Sequence, residues 1–553
     1  MKRNLLKSLG FALLGLMIVS CSNPSKMAKF ASKVTTECNP QVLEAKAGKI
    51  KATYTVTFPA KYFVKKAILD ITPVLVYDGG EAVAPVLSLQ GDKVLDNNAV
   101  ISFDNGGSIS KEVEFNYVPG MEKAVLELRA KVSNASRTKS FVYPAPFKLA
   151  DGTNTTYMLA CTKGVPSFEA DNYQKIINEK GESQILYLIN SADVRNSQLK
   201  TSEIKEFEEF LKNTKADERR TIVSNDIIAY ASPDGVYTQN EKLSERRAKT
   251  AKTAFVKTIT KKVDVKDVPL NVTQISEDWE GFKDLVTNSD IPDKDLILRV
   301  LSMYSDPNVR EREIRNMSNV FQILAEKVLP ALRRARFIAN VEYKNWTDAE
   351  LTQLIDDNID QLDEEGLLYG ATLFEKEAAQ INIYKKAAEK YNSSRGYNNM
   401  AALYLKEGKT AEAKAALAKM SNKSASYYNN MGVAALQEKD LAKAAEYFAK
   451  SNLKEAKENM GTVSILTGNY PQAVSELNGS NSFNEALANV LTNNMAKASS
   501  ILKGQDCPYA AYLRAVIAAR QGNVAEAKAQ LEIAKKNAAL AARSQKDIEF
   551  AKL

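Results

Sequence analysis

Hydrophobic and polar residues alternate through residues 30–165, the pattern of strands that bury one face. The clearest runs are residues 51–58, 67–76, 99–103, 113–117 and 124–132. Turn-forming clusters, among them Asp78-Gly79-Gly80 and Pro119-Gly120, separate these runs. The spacing predicts an N-terminal antiparallel β-sandwich. Because neither tryptophan of the chain lies here, the composition favours a spacer or protein-docking module over a carbohydrate-binding one.

Patterns typical of strands alternate with patterns typical of helices between residues 166 and 344. Short apolar runs predict four strands, at residues 184–189, 222–231, 268–275 and 335–343. Apolar residues at helical spacing predict one amphipathic helix from about residue 201 to 211 and a second that ends near Phe255. A mostly helical insertion separates the last two strands. This order predicts a central α+β domain.

The last third of the chain repeats itself. Copies of one pattern begin at Tyr397 and at Tyr428, 31 residues apart, and a third centres on Met460-Gly461. The pattern resembles the tetratricopeptide helix-turn-helix and predicts a C-terminal α-solenoid whose small residues let paired helices approach closely. Such solenoids hold protein partners on the concave surface. The helical lead-in starts with Thr347-x2-Glu350, which fits a capping box.

The chemistry of the central domain concentrates in one turn. Ser232-Pro233-Asp234-Gly235 follows a β-branched strand, and a helix is predicted to begin at Asn240 and to carry Arg246 and Arg247 on its first turns. Free backbone N–H groups collect between the end of a strand and the start of a helix. A small anionic or zwitterionic ligand can be held there by those groups and by an arginine.

Residues 240–248, NEKLSERRA, resemble the N-x-x-L-S-x-x-R-A signature of the OmpA C-terminal (peptidoglycan-binding) family. The resemblance implies a βαβαβ domain that binds the diaminopimelate stem peptide of peptidoglycan. It implies that Arg247 binds the ligand carboxylate and that Asn240 fixes the turn. The family's aspartate, which takes the ligand amine, falls on Ser232, and Asp234 could replace it through a shifted turn. The turn and the insertion are similar to those of Bacteroidetes OmpA-like proteins, and this shared turn leaves open whether the ligand contact is kept, altered or given up.

The N-terminal residues have the features of a targeting signal. Three basic residues precede an apolar stretch at residues 9–19, which is too short to span a membrane and ends in Ile18-Val19-Ser20-Cys21. This resembles a bacterial lipobox, which implies a signal peptide at residues 1–20, lipidation of Cys21 and a tether at residues 21–29. The alternative is a plain signal peptide that happens to contain a cysteine. Since no acidic cluster follows Cys21, the resemblance implies the periplasmic face of the outer membrane.

Three further cysteines remain in the sequence. Cys38 and Cys161 bracket the predicted β-sandwich, and an oxidising periplasm would allow a disulfide between them, although the sequence does not show that they lie close enough. Cys507 is predicted to be a small buried residue between helices.

The amino-acid composition excludes several classes of catalytic and metal-binding site. The chain has no histidine, which removes Ser-His-Asp and Cys-His catalysis and histidine-ligated metals. No Walker loop, dinucleotide-binding glycine pattern or CxxC pair appears. The formal charge of +8 includes Lys2, Arg3 and Lys7 of the expected signal peptide, and the remainder is too small to indicate nucleic acid. We therefore expect no enzyme, no cofactor, no metal and no nucleic-acid partner; a cell-wall hydrolase would need a nucleophile motif that the sequence lacks.

The sequence thus predicts a β-sandwich at residues 30–165, an OmpA-like domain at 166–344 and a tetratricopeptide-repeat domain at 345–553. The first functional hypothesis is an outer-membrane lipoprotein that anchors to peptidoglycan and recruits a protein partner through its repeats. The second is a scaffold subunit of an outer-membrane assembly, secretion or fimbrial machine, which does not bind peptidoglycan.

Overall fold

The computed structural model describes residues 23–233, 235–316 and 318–553. The predicted signal peptide, Cys21 and Asp234 lie outside these residues. Contacts divide the chain into two compact units, one that joins the residues up to Ala170 with Lys376–Leu553, and one formed by Asp171–Glu375.

The first unit begins with a β-rich region. Its elements are helix α1 (Ser25–Lys29) and strands β1 (Thr35–Asn39), β2 (Leu43–Lys46), β3 (Lys49–Phe58), β4 (Ala67–Tyr77), β5 (Gly80–Val83), β6 (Leu87–Gly91), β7 (Ala99–Ile101), β8 (Gly107–Asn116), β9 (Val125–Asn134), β10 (Ser140–Val142), β11 (Phe147–Asp151) and β12 (Thr153–Asn154). One sheet has the order β1-β3-β2-β12 with β8 beside β3. The other has the order β10-β9-β4-β6-β7, with β5 beside β4 and β11 beside β9.

Alternation explains how the two sheets meet. In β3 every second side chain is buried, from Ile50 to Phe58, while the residues between them face outward. Leu69 of β4 and Leu128 of β9 are buried in the same hydrophobic core as the β3 side chains. The predicted β-rich N-terminal region is therefore confirmed.

The second unit contains the predicted strand and helix order. Its elements are β13 (Ile176–Leu186), α2 (Ser202–Ala216), β14 (Arg220–Tyr230), α3 (Tyr237–Ala254), a π-helical turn (Phe255–Thr260), α4 (Lys261–Val263), β15 (Leu270–Ile275), α5 (Trp279–Thr287), α6 (Lys294–Met303), α7 (Pro307–Asn316), α8 (Ser318–Lys327), α9 (Leu329–Leu332), β16 (Arg334–Lys344), α10 (Asp348–Asn358) and α11 (Glu364–Thr372). The sheet order is β13-β16-β14-β15. Strand β14 is parallel to β15 and antiparallel to β16, and β16 is antiparallel to β13.

Two boundaries in this unit differ from the prediction. Strand β13 begins at Ile176 rather than near residue 184, because its whole length pairs with β16, from Ile176 opposite Lys344 to Leu186 opposite Arg334. Helix α3 begins at Tyr237, which places Asn240 inside its first turn instead of at its N-cap. The insertion, α5 to α9, has a hydrophobic cluster of its own that includes Phe282, Val286 and Leu329.

The remaining helices form the repeat region of the first unit. They are α12 (Glu377–Tyr391), α13 (Ser394–Lys406), α14 (Thr410–Leu417), α15 (Ala425–Gln437), α16 (Leu441–Phe448), α17 (Lys454–Leu466), α18 (Tyr470–Leu477), α19 (Phe483–Leu491), α20 (Met495–Leu502), α21 (Pro508–Arg520), α22 (Val524–Ala534) and α23 (Ala538–Ser544). A Cβ atom added to Gly432 would lie 2.4 Å from the Phe448 ring, and one added to Gly461 would lie 2.4 Å from Leu477. Glycine is needed at both positions because the two helices of a pair approach so closely. The predicted C-terminal helical repeats are confirmed.

The grouping of these regions differs from the sequence-based domains. The β-rich region and the later repeat helices share one core, which includes Leu43 and Tyr512, and Thr156 donates to Glu549 at 2.8 Å. Helices α10 and α11, which the sequence groups with the repeats, lie in the second unit. There Tyr369 stacks on Tyr173, with ring centroids 4.9 Å apart. Apolar periodicity identifies each element but does not say which apolar faces will meet.

The three described cysteines are free thiols, so the disulfide considered between Cys38 and Cys161 is not formed. Cys507 is exposed, not buried, and its Sγ accepts from the backbone N–H of Ala510 at the start of α21. Among the described residues, no helix has the length and apolar character needed to cross a bilayer.

Candidate functional site

A basic cleft of about 510 Å³ opens between the end of β14 and the first turns of α3. Five of its lining side chains are cations: Lys242, Arg246, Arg247, Arg315 and Arg333. None of the described lining residues is acidic. A cleft lined by one sign of charge concentrates ligands of the opposite sign, so this site suits a carboxylate or another small anion.

Arg247 forms the inner wall of the basic cleft and is fully buried. Its guanidinium donates to three backbone carbonyl oxygens, those of Ser191 (3.0 Å), Tyr230 (2.8 Å) and Leu188 (3.2 Å). The guanidinium also lies over the Tyr187 ring, 5.0 Å from its centroid. These contacts connect α3 to the end of β14 and to the loop after β13. Arg247 therefore has a structural role in this domain, in addition to bordering the cleft where the resemblance places it.

Arg246 precedes Arg247 and has a different environment. Its side chain is exposed at the cleft, as is that of Lys242 one turn earlier on α3. A guanidinium can form two parallel hydrogen bonds with a carboxylate, and an ammonium adds a point charge. Arg246 is thus the cation best placed to meet a ligand from solvent.

The predicted turn residues hold the turn together. Asn240 is buried, and its amide nitrogen donates to the carbonyl oxygens of Ser232 (3.2 Å) and Gly235 (2.9 Å). The same nitrogen lies 3.4 Å from the carboxylate of Glu277. Ser232 lines the cleft but is itself buried. Asn240 fixes the turn from within the helix.

Two acidic residues that the sequence did not indicate, Glu277 and Asp278, lie between β15 and α5. Burial raises the pKa of the Glu277 carboxyl, although hydrogen bonds from Trp279 (2.9 Å) and Asn240 counteract the shift. Asp278 caps α5 through the backbone N–H of Gly281 (2.9 Å) and pairs with Arg334 at 2.8 Å. These residues attach the inserted helices to the sheet.

A larger cleft of about 660 Å³ lies along β13 and α2, and its charges are mixed. It includes the carboxylates of Glu203 and Glu206, while Arg336 on its wall pairs with Glu182 at 2.5 Å. Because its charges are of both signs, it does not select an anion as the basic cleft does.

The face of the repeats formed by the first helix of each pair is occupied by the chain's own residues 161–169. Each of four asparagines forms two hydrogen bonds with one backbone residue: Asn399 with Glu169, Asn430 with Ser167, Asn459 with Val165 and Asn484 with Cys161. The amide oxygens accept at 2.7–2.8 Å and the amide nitrogens donate at 2.9 Å. The surface predicted for a protein partner is therefore filled by an internal segment. We call this surface, with its four asparagines, the asparagine groove.

The sequence did contain a signal for this groove. An Asn-Asn pair at residues 398–399 recurs at residues 429–430, in step with the 31-residue repeat. No group of three or more metal-ligating Cys, Asp or Glu side chains occurs in the part of the chain that the structure describes.

Comparisons with known proteins identify no family for this chain. No protein-family model matches the chain, and no curated protein matches it. A tetratricopeptide repeat protein from Parabacteroides merdae ATCC 43184 is 13% identical, with a TM-score of 0.29, over 43% of this chain and 99% of its own. The anaphase-promoting complex heterotetramer Cut9-Hcn1 is also 13% identical, with a TM-score of 0.32, over 56% of this chain and 72% of its own. Scores this low do not establish a shared fold.

Proposed function

We propose that this protein is an outer-membrane lipoprotein that binds peptidoglycan through the basic cleft and recruits a protein partner through its repeats. The lipid anchor would be Cys21, at the end of the lipobox-like sequence. The cleft would take a free carboxylate of the diaminopimelate stem peptide. The function is binding, without catalysis.

One observation carries the peptidoglycan half of the proposal: the accumulation of cations at the cleft without an acidic residue among its described lining side chains. Arg246 and Lys242 would contact the carboxylate, and Arg247 would hold the loops that shape the site. Ser232 and Asp234 remain the candidates for contact with the ligand amine, as the resemblance implies.

Cosedimentation with isolated peptidoglycan tests this half. The chain from residue 22 onward is compared with Arg246→Gln and with the matched control Lys252→Gln, an exposed cation on the same helix outside the cleft. A charged hydrogen bond contributes about 1.5–3 kcal/mol, so Arg246→Gln should weaken binding about tenfold or more. Lys252→Gln should bind as the unchanged chain does, and free diaminopimelate should compete.

Equal binding by Arg246→Gln and the unchanged chain, or no binding by either, would reject the cleft as a peptidoglycan site. The alternative, a scaffold subunit without peptidoglycan binding, would then stand. Ser232 favours this alternative, because a hydroxyl at the family's aspartate position cannot form an ion pair with an ammonium. In-cell crosslinking that recovers no stable protein partner would count against the scaffold.

A further inference from the structure

The asparagine groove recognises main chain. A carboxamide offers one acceptor and one donor side by side, as does a residue at the edge of an antiparallel strand. Each of the four asparagines uses both groups on the N–H and C=O of a single residue of segment 161–169. Every residue except proline presents these two groups, whatever its side chain.

A second layer of asparagines holds the first in place. The Asn430 amide donates to Asn398 at 3.0 Å, and the Asn459 amide donates to Asn429 at 3.0 Å. The supporting Asn429 donates in turn to the Val165 carbonyl at 3.0 Å. All of these amides are buried. The groove is thus preorganised, and its own asparagine side chains lose little conformational freedom when an extended chain enters it.

The segment's own side chains add little to the fit. Cys161, Lys163, Val165 and Phe168 are exposed. Two residues are exceptions: Ser167 is buried and its hydroxyl accepts from Asn429 at 3.1 Å, and the Glu169 carboxylate accepts from the Ser424 hydroxyl. The groove therefore has little means to select one sequence over another.

The segment has one position, Gly164, at which even a single added methyl group should disturb its fit in the groove. Gly164 has a φ of +72°, and a Cβ atom added there would lie 2.8 Å from the Val433 side chain. An alanine at this position would loosen the segment without changing any groove residue.

We propose that the asparagine groove is a binding site for an extended segment of a partner polypeptide, read through its main chain, and that residues 161–169 occupy it as an internal pseudo-ligand which the partner must displace. This deepens the recruitment half of the proposed function and rests on it. It is independent of the basic cleft, so failure of one test leaves the other unaffected.

Fluorescence anisotropy with a labelled peptide of residues 160–170 tests the proposal on the protein, on Gly164→Ala and on Gly408→Ala. Gly408 is the matched control, since its φ is +75° and nothing lies within 4 Å of an added Cβ. Displacing a resident segment costs affinity in proportion to its occupancy, so Gly164→Ala should bind the peptide about tenfold tighter than the other two. Adding Asn430→Ala to Gly164→Ala should abolish the gain.

Two modified peptides separate main-chain from side-chain recognition. A peptide with its side chains permuted, but with glycine, proline, Ser167 and Glu169 kept in place, should bind Gly164→Ala within about threefold of the original, because Asn399, Asn430, Asn459 and Asn484 bind the segment through its backbone. A peptide N-methylated at the positions of Val165, Ser167 and Glu169 should not bind. Equal binding by the N-methylated peptide would overturn the proposal.

Hydrogen exchange on the same samples monitors the segment itself. The amides of Val165, Ser167 and Glu169 should exchange faster in Gly164→Ala than in the protein or in Gly408→Ala. Unchanged exchange would mean that the segment cannot be displaced, and faster exchange without peptide binding would mean that the groove takes no ligand in trans. Either result would refute the proposal.

Discussion

Replacing Arg247 by methionine should destabilise the second unit strongly. The change leaves three carbonyl oxygens without this donor, one in a buried contact (Tyr230) and two in part-buried contacts (Ser191 and Leu188), at about 1–3 kcal/mol each. Part of this loss is offset, because the cost of burying the guanidinium disappears as well. The three groups together would cost about 3–9 kcal/mol. After the offset, we expect the free energy of unfolding to fall by about 3–4 kcal/mol.

Tryptophan fluorescence during urea unfolding isolates this effect. The only two tryptophans, Trp279 and Trp346, both lie in the second unit, so their signal reports the unfolding of that unit. With a slope of about 2 kcal/mol per molar urea, the midpoint should fall by about 1.5–2 M. Arg246→Met is the matched control, and as an exposed substitution it should shift the free energy of unfolding by less than about 0.5 kcal/mol. If the two variants unfold at the same urea concentration, the structural role assigned to Arg247 is wrong.

Two more predictions address the repeats and the second unit. Gly432→Ala places a methyl group against the Phe448 ring and should lower the free energy of unfolding, measured by heat or urea, by about 1–3 kcal/mol. Gly504→Ala is the control and should be nearly neutral, because there is open space around its Cβ. Equal effects of the two changes would refute the close approach of the paired helices. The hydrogen bond from Arg219 holds the pKa of the Glu350 carboxyl at about 2, below its ordinary 4.5. The ionised carboxylate therefore stabilises the folded state above pH 4.5, and this stabilisation is lost as the pH falls towards 2. Glu350→Gln should lower the urea midpoint at pH 7 but not near pH 2. A difference in midpoint between the variant and the unchanged chain that does not depend on pH would contradict the assignment.

Local patterns predicted the elements well. The alternation in residues 51–58 corresponds to β3, and the predicted capping box of Thr347 and Glu350 forms at the start of α10. The glycine at Gly432 packs against the paired helix as the repeat pattern requires. These features depend on neighbours a few residues away, or on the partner helix of the same repeat, so the sequence alone carries the information.

The sequence predicted which residues of the candidate site lie together, but not the environment of each one. The motif placed Arg246, Arg247, Asn240 and Ser232 around one turn, and the structure brings them to one cleft. It did not distinguish the buried arginine from the exposed one, because that depends on where Leu188 and Ser191 place their carbonyl groups. The supporting role of Glu277 was also invisible, since its partners come from other elements.

By itself, the sequence determined the type of each element, the repeat period and the turn on which the candidate site is built. Tertiary structure alone decided which surfaces are occupied. Cys161 and Asn484 are 323 positions apart, and Glu169 and Asn399 are 230 apart, yet each pair exchanges two hydrogen bonds. Periodicity records how a residue relates to its own helix or strand. A backbone segment that carries its donors and acceptors in every sequence leaves no comparable pattern, so only the fold shows that it fills the asparagine groove.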